Sequence, residues 1–205
     1  RESGLMSDAV TNVLKGENNN LWISTWNGGI ASFDYKTKKI RNFVHDYKNS
    51  NSLIFNNIKD IYLNNDTLWI TTHGEGIALF DIKQQTFRSY QNEKRIPFNL
   101  NTPAWANSIY KDSKNRYWIS SSVFLYRFDG KNLKSYAMEL DNNKSLSGNL
   151  VFSVFEDKLH NIWIISDGGI DKYNETDDSF ERLSAKNILP KNVKAIIEDN
   201  NNILW

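Results

Sequence analysis

His73 and Glu75 stand two residues apart in the stretch His73-Gly74-Glu75-Gly76. An imidazole and a carboxylate at this spacing could act as base and acid in an elimination. They could equally be two polar residues of an exposed glycine turn. A second set has the chemistry of a sugar site: Trp26 with Asn27, Trp105, and Asp167. An indole offers a flat face to the C–H side of a sugar ring, while amides and carboxylates take its hydroxyls. The competing role for both indoles is to seal gaps in a core. Glu156-Asp157 and Glu198-Asp199 form a repeated acidic pair, expected to cap the turn that follows each. The three histidines are scattered and there is no cysteine, so no metal site is expected. No catalytic residue is assigned, and no cofactor is expected.

Whether such residues meet depends on the elements that carry them. The stretch LWISTWNGGIASFD at 21–34 recurs as LWITTHGEGIALFD at 68–81, YWISSSVFLYRFD at 117–129 and IWIISDGGIDKYN at 162–174. A fifth copy opens with Leu204-Trp205. The anchoring tryptophans Trp22, Trp69, Trp118, Trp163 and Trp205 recur every 42 to 49 residues, a period typical of repeat architectures.

Each repeat holds four short runs rich in β-branched and aromatic residues. The first runs are Val10–Leu14, Ile58–Tyr62, Ala106–Tyr110, Val151–Phe155 and Val193–Ile197. The tryptophan run is second, and Ile30–Asp34 with its equivalents third. Apolar pairs mark the fourth: Ile40/Phe43, Phe87/Tyr90, Leu133/Tyr136 and Phe180/Leu183. Asn27-Gly28, Gly74–Gly76 and Asp167-Gly168 predict hairpin turns between second and third runs. The third repeat uses Ser120–Ser122 there, and a less regular turn is expected. Asn12, Asp60, Ser108, Ser153 and Ala195 share one place on the first run, as a tight, wet channel would require.

These features predict an all-β chain built as a β-propeller of four-stranded antiparallel blades. One long β-sandwich is the competing architecture. Blades are expected at 5–45, 53–92, 101–138 and 146–185, with an incomplete fifth at 188–205. Four complete blades and the start of a fifth suggest a fragment of a larger propeller, seven-bladed by the resemblance given below. A closed four-bladed ring is the alternative. The chain opens inside a repeat, so a cut or processed N-terminus is expected.

The composition narrows the function classes. Among 205 residues, 25 are basic and 24 acidic, a net charge of +1. That gives no global attraction to nucleic acid. A hydrophobic content of 40% and an aromatic content of 13% suffice for a sizeable core. No disulfide is possible without cysteine. No apolar run approaches the roughly 18 residues of a membrane span.

The pattern SLxxNxVxxIxEDxxxNxWIxTxxGGIxxFD resembles the two-component regulator propeller repeat. Here it reads SLSGNLVFSVFEDKLHNIWIISDGGIDKY at 145–173 and SLIFNNIKDIYLNNDTLWITTHGEGIALFD at 52–81. LMSDAVTNVLKGENNNLWISTWNGGIASFD at 5–34 is similar. The departures are the third repeat's missing glycines, and Gly16 and Asn64 where an acidic strand-end residue is expected. The resemblance implies the periplasmic sensor region of Bacteroides-type hybrid two-component histidine kinases. It implies an oligosaccharide signal, an output in transcription of glycan-use genes, further blades and downstream domains in the same chain, and a homodimer of the full protein.

In a propeller, the second-to-third turns and the connections between blades share one end, where ligands usually lie. Loops on a rigid scaffold concentrate binding residues. The connections carry His45, Tyr47, Arg95, Phe98, Trp105, Glu139 and Asp141. The turns add Trp26, Asn27, His73, Glu75 and Asp167. The leading expectation is a non-enzymatic, ligand-sensing propeller that binds an oligosaccharide through Trp26, Asn27, His73, Glu75, Trp105 and Asp167. The alternatives are a propeller enzyme similar to the streptogramin lyases, or a protein-docking scaffold.

Overall fold

The computed structural model describes residues 4–89, 104–183, 193 and 196–205. Every named element among them is a β-strand. The chain forms two compact units, Arg1–Ala106 and Asn107–Trp205.

The first unit holds β1 (Val10–Lys15), β2 (Asn20–Thr25), β3 (Gly29–Asp34) and β4 (Lys39–Phe43), antiparallel in that order. It also holds β5 (Ile58–Asn64), β6 (Thr67–Gly74), β7 (Ile77–Asp81) and β8 (Thr86–Ser89), each paired antiparallel with the next. β9 (Ala104–Lys111) starts in the first unit and continues into the second. β10 (Tyr117–Ser121), β11 (Leu125–Phe128) and β12 (Leu133–Tyr136) follow it in order. β13 (Val151–Glu156), β14 (Ile162–Ser166), β15 (Gly169–Asn174) and β16 (Ser179–Arg182) make the last set. Four antiparallel sets of four strands are blades of the propeller type.

Local sequence explains the pairings. Two of the expected glycine turns close their hairpins. Asn27 adopts φ 64° between β2 and β3, a left-handed angle that Asn tolerates well. Gly29 has φ 70°, and a Cβ there would lie 2.3 Å from the Phe43 carbonyl oxygen, so only glycine fits. Asp167-Gly168 makes the two-residue turn between Ser166 and Gly169.

The first strand of three sets carries a register shift, between Val10 and Asn12, Ile58 and Asp60, and Val151 and Ser153. Each therefore sets one extra residue (Thr11, Lys59 or Phe152) against its partner strand, which turns that side chain away from the regular alternation. Two of the polar first-strand residues meet: Asn12 Nδ2 donates to Asp60 Oδ1 at 2.5 Å.

Each unit buries its own core. Trp22, Ile30, Leu53, Ile58, Leu68, Ile70 and Phe80 cluster in the first. Trp118, Leu125, Tyr136, Leu146, Val154, Ile164 and Tyr173 cluster in the second. Each such fully buried side chain stabilises by roughly 1.5–3 kcal/mol. The recurrence of tryptophan and aliphatic residues at fixed strand positions is what makes the same core form repeatedly.

The structure corrects two expectations. The third repeat's turn is Ser122-Val123, not Ser120–Ser122. Ser120 stays in β10, and the Ser121 hydroxyl closes the turn by accepting from Phe124 N at 3.0 Å and donating to Phe124 O at 2.9 Å. In the second repeat β6 runs on to Gly74, because its last residues pair with β9 after leaving β7. In the fifth repeat Ile197, the end of the expected first run, exchanges two backbone hydrogen bonds with Trp205, and Glu198 bridges Leu204. Tyr90, Arg95, Phe98 and Ala195 lie outside the described residues, as do the expected blade ends near 92, 101, 185 and 188.

Candidate ligand-binding site

Trp26 follows β2 directly, in the turn that leads to β3. Its amide donates to Ala9 O at 2.8 Å, which fixes the turn against the segment preceding β1. The side chain remains 36% exposed although the blade's other indole, Trp22, is buried. His73 lies at the end of β6, with its amide held by Asn57 O at 2.9 Å. The imidazole meets the Trp26 indole edge-on, centroids 5.0 Å apart at 62°. Lys59 sets its ammonium 5.1 Å from the Trp26 ring centroid. Such a cation–π contact at an exposed site is worth about 0.5–1 kcal/mol.

Sequence reasoning missed Lys59. The sequence carried no signal for it: Lys59 is the extra residue of the β5 bulge, where the first and fourth repeats have Thr11 and Phe152, and the bulge shows only in the strand register. The bulge re-aims the lysine toward the indole. Trp105 lies opposite His73 in the β6–β9 ladder. Trp26, His73 and the backbone of Trp105 are thus brought together in the first unit, while the Trp105 side chain lies outside the described set. Asn27 is exposed beside Trp26 and serves the turn.

Glu75 faces different surroundings from His73. It is exposed, its amide donates to Thr72 Oγ1 at 3.1 Å, and it borders an opening lined by the 45–54 loop. Asp167 lies in the second unit. Its Oδ1 accepts from Leu150 N at 3.2 Å and its amide donates to Leu150 O at 3.1 Å, so it ties the preceding connection to its own turn. Among the described residues no group of three His, Asp or Glu side chains could hold a metal ion.

In chemical terms the Trp26 site is a part-exposed indole with the Lys59 ammonium over its ring and the His73 imidazole against it. It can stack a ring and donate to hydroxyl or carboxylate oxygens.

No protein-family model matches the chain, and no curated protein does. Solved structures do. The extracellular domain assigned to the hybrid two-component system BT3049 of B. thetaiotaomicron is 21% identical, with a TM-score of 0.80, over 100% of this chain and 27% of that one. The corresponding domain assigned to BT4673 of the same organism is 20% identical, with a TM-score of 0.69, over 96% of this chain and 28% of that one. YCF48 bound to D1 peptide is 10% identical, with a TM-score of 0.64, over 98% of this chain and 62% of that one. The chain thus has the β-propeller fold of these proteins. It spans just over a quarter of the length of the two extracellular domains, which are of the kind that its repeat pattern resembles.

Proposed function

We propose that this chain is part of the periplasmic, ligand-sensing propeller region of a hybrid two-component sensor, and that its role there is binding rather than catalysis. The observation that carries this reading is Trp26: an indole left 36% exposed at the turn end of a blade, with Lys59 and His73 against it. The likeness in fold to extracellular sensor domains supports it, as does the repeat pattern. The ligand class that suits an exposed indole beside an ammonium donor is an oligosaccharide, whose recognition passes to transcription of glycan-use genes. Asn27 and Trp105, which lie in the same unit, are proposed as further contacts, while Glu75 faces the 45–54 loop and Asp167 lies in the second unit, so neither is assigned to this ligand. A sensor must favour one of two global arrangements when its ligand binds. Further blades, downstream domains and a second copy of the chain supply those arrangements.

The test is calorimetric titration of the complete extracytoplasmic region with a panel of oligosaccharides. One glycan class should bind, and Trp26→Ala should weaken it by about two- to tenfold, the loss expected for one stacked aromatic. If no oligosaccharide binds and Trp26→Ala has no effect, the reading is wrong and a protein-docking scaffold takes its place.

A further inference from the structure

Two connections, 44–57 and 137–150, have the same backbone design at a constant offset along the chain. His45 N donates to Asn56 Oδ1 as Met138 N does to Asn149 Oδ1, each at 2.7 Å. Asp46 N donates to Ser52 Oγ at 2.9 Å, and Glu139 N to Ser145 Oγ at 2.8 Å. Asn49 N bonds Asp46 O, and Ser52 N bonds Asn49 O. Asn142 N bonds Glu139 O, and Ser145 N bonds Asn142 O. Both loops therefore curl their carbonyls around a common centre.

In the second unit that centre is filled from within. Arg182, at the end of β16, donates through Nη2 to Asn142 O at 2.8 Å, Leu146 O at 2.9 Å, Glu139 O at 3.3 Å and Ser145 Oγ at 2.7 Å. Its Nε donates to Ser145 O at 2.9 Å. A planar, multi-donor cation is what such a ring of carbonyls accepts.

In the first unit the equivalent residue is Ser89. The register proves the equivalence: Ser89 lies opposite Ala78 as Arg182 lies opposite Asp171. A serine carries neither the length nor the charge to do what Arg182 does. An opening of about 390 Å³ borders Asp46, Asn49, Ser52 and Leu53, with Ser89 on its wall. His45 Nδ1 engages the Leu53 carbonyl at 2.6 Å, and the Asp46 and Asn49 carbonyls accept bonds from within the loop, as the Glu139 and Asn142 carbonyls do while also holding Arg182.

The rim has changed to match. Glu75 lines it where the second unit has Gly168. Tyr47 stands 93% exposed, with the His45 ring 4.4 Å from its own. A carboxylate and an exposed aromatic plane both favour a guanidinium over a compact ammonium.

We propose that the cup of the 45–54 loop binds a guanidinium group supplied from outside, carried by a free guanidino compound or by an arginine side chain of a partner polypeptide. The chain's own Arg182 is the template for the interaction.

The test titrates the full protein with agmatine, n-butylamine and a short peptide bearing one central arginine, by calorimetry at fixed ionic strength. Agmatine should bind about tenfold more tightly than n-butylamine. Glu75→Gln should weaken it several-fold, and Ser89→Arg should abolish it by filling the cup. A peptide that binds more tightly than agmatine identifies a polypeptide as the source, and equal binding identifies the free compound. In a second measurement, Arg182→Ala should lower the Tm, and guanidinium at low concentration should restore it where ammonium does not. This arm keeps the test decisive if Ser89→Arg fails to fold. Equal binding of n-butylamine, binding that survives Ser89→Arg in a folded protein, absence of agmatine binding, or no guanidinium rescue would each overturn the proposal.

Discussion

The indole nitrogen of Trp118 donates a 2.8 Å hydrogen bond to Asp112 Oδ2 across the β9–β10 turn. The same bond joins Trp163 to Asp157 at 2.9 Å and Trp205 to Asp199 at 3.2 Å. In each case the other carboxylate oxygen accepts two backbone amides of the turn. These are Lys114 and Arg116, then Leu159 and Asn161, then Asn201 and Ile203. One aspartate thus closes the turn and orients the indole.

Asp112 is buried, and it also holds Arg116 Nε at 2.6 Å. Asp112→Ala leaves an indole N–H, two amides and a guanidinium short of an acceptor. It should cost about 3 kcal/mol, the range for breaking a buried charge pair, read by urea denaturation. A loss below about 1 kcal/mol would show that water replaces the carboxylate freely.

The first repeat lacks this device. Gly16 N donates to Asn20 O at 2.9 Å, as Asp112 N does to Arg116 O. A Cβ on Gly16 would lie 3.1 Å from Trp22 Nε1. Gly16→Asp should supply the missing acceptor and raise the Tm by roughly 2–4 °C, about 1 kcal/mol in a chain of this size. A lower Tm would mean that the close approach to Trp22 and Asn20 outweighs the new bond.

Asp178 gathers Tyr136 OH at 2.7 Å, Tyr173 OH at 2.6 Å, Arg127 Nη1 at 2.8 Å and the Lys134 ammonium. Burial pushes its carboxyl up, but the bonds from Lys134, Tyr173 and Tyr136 and the Arg127 charge outweigh this and hold it well below the usual carboxylate range. The same burial and the bond to Asp178 push the Tyr173 phenol up to about 12. A depressed carboxylate stabilises the fold above its ordinary pKa of 3.8, and that contribution is lost as pH falls through the folded-state value. Asp178→Asn keeps φ 54° accessible. It should cost about 2 kcal/mol at pH 7, a difference that shrinks as both proteins are unfolded at pH values below 3.8. A pH-independent difference would rule out the charge as its cause.

Asp171 titrates the other way. It is fully buried on β15, and its Oδ2 accepts from Ser147 N and Oγ, each at 2.8 Å. Among the described residues its Oδ1 has no hydrogen-bond partner. Burial pushes the carboxyl up to about 6, against the bonds from Ser147 and the charge of Arg182. A raised carboxyl stabilises the fold most below 3.8, and that contribution is lost as pH rises through about 6. The loss is on the order of 3 kcal/mol. The stability difference between the wild type and Asp171→Asn should therefore change between pH 4.5 and 7.5, with the wild type declining more. Parallel pH profiles would refute the assignment.

Much of the fold was legible because a repeat writes the same instruction several times. Strand pairing depends on alternation and turn residues, both local, so the tryptophan runs, the Asn27 and Asp167-Gly168 turns and the cores around Trp22 and Trp118 follow from sequence. Less of the candidate site was legible. Trp26 stood out because it breaks the repeat. Lys59 did not, because a bulge shifts the register by one residue and sequence alternation does not reveal where it falls. The acidic pairs read correctly as turn caps, but their hold on the indole six residues later needs the hairpin to bring the two together.

The sequence by itself determined the four-stranded units, their period and their repeated aromatic anchors, since these rest on short-range patterns. Tertiary structure alone decided which exceptional residues meet. It set His73 against Trp26 and Glu75 beside the 45–54 loop, and it filled one carbonyl cup with Arg182 while leaving Ser89 at the other. Those pairings join residues from different strands and loops, and only the packed backbone fixes the distances between them.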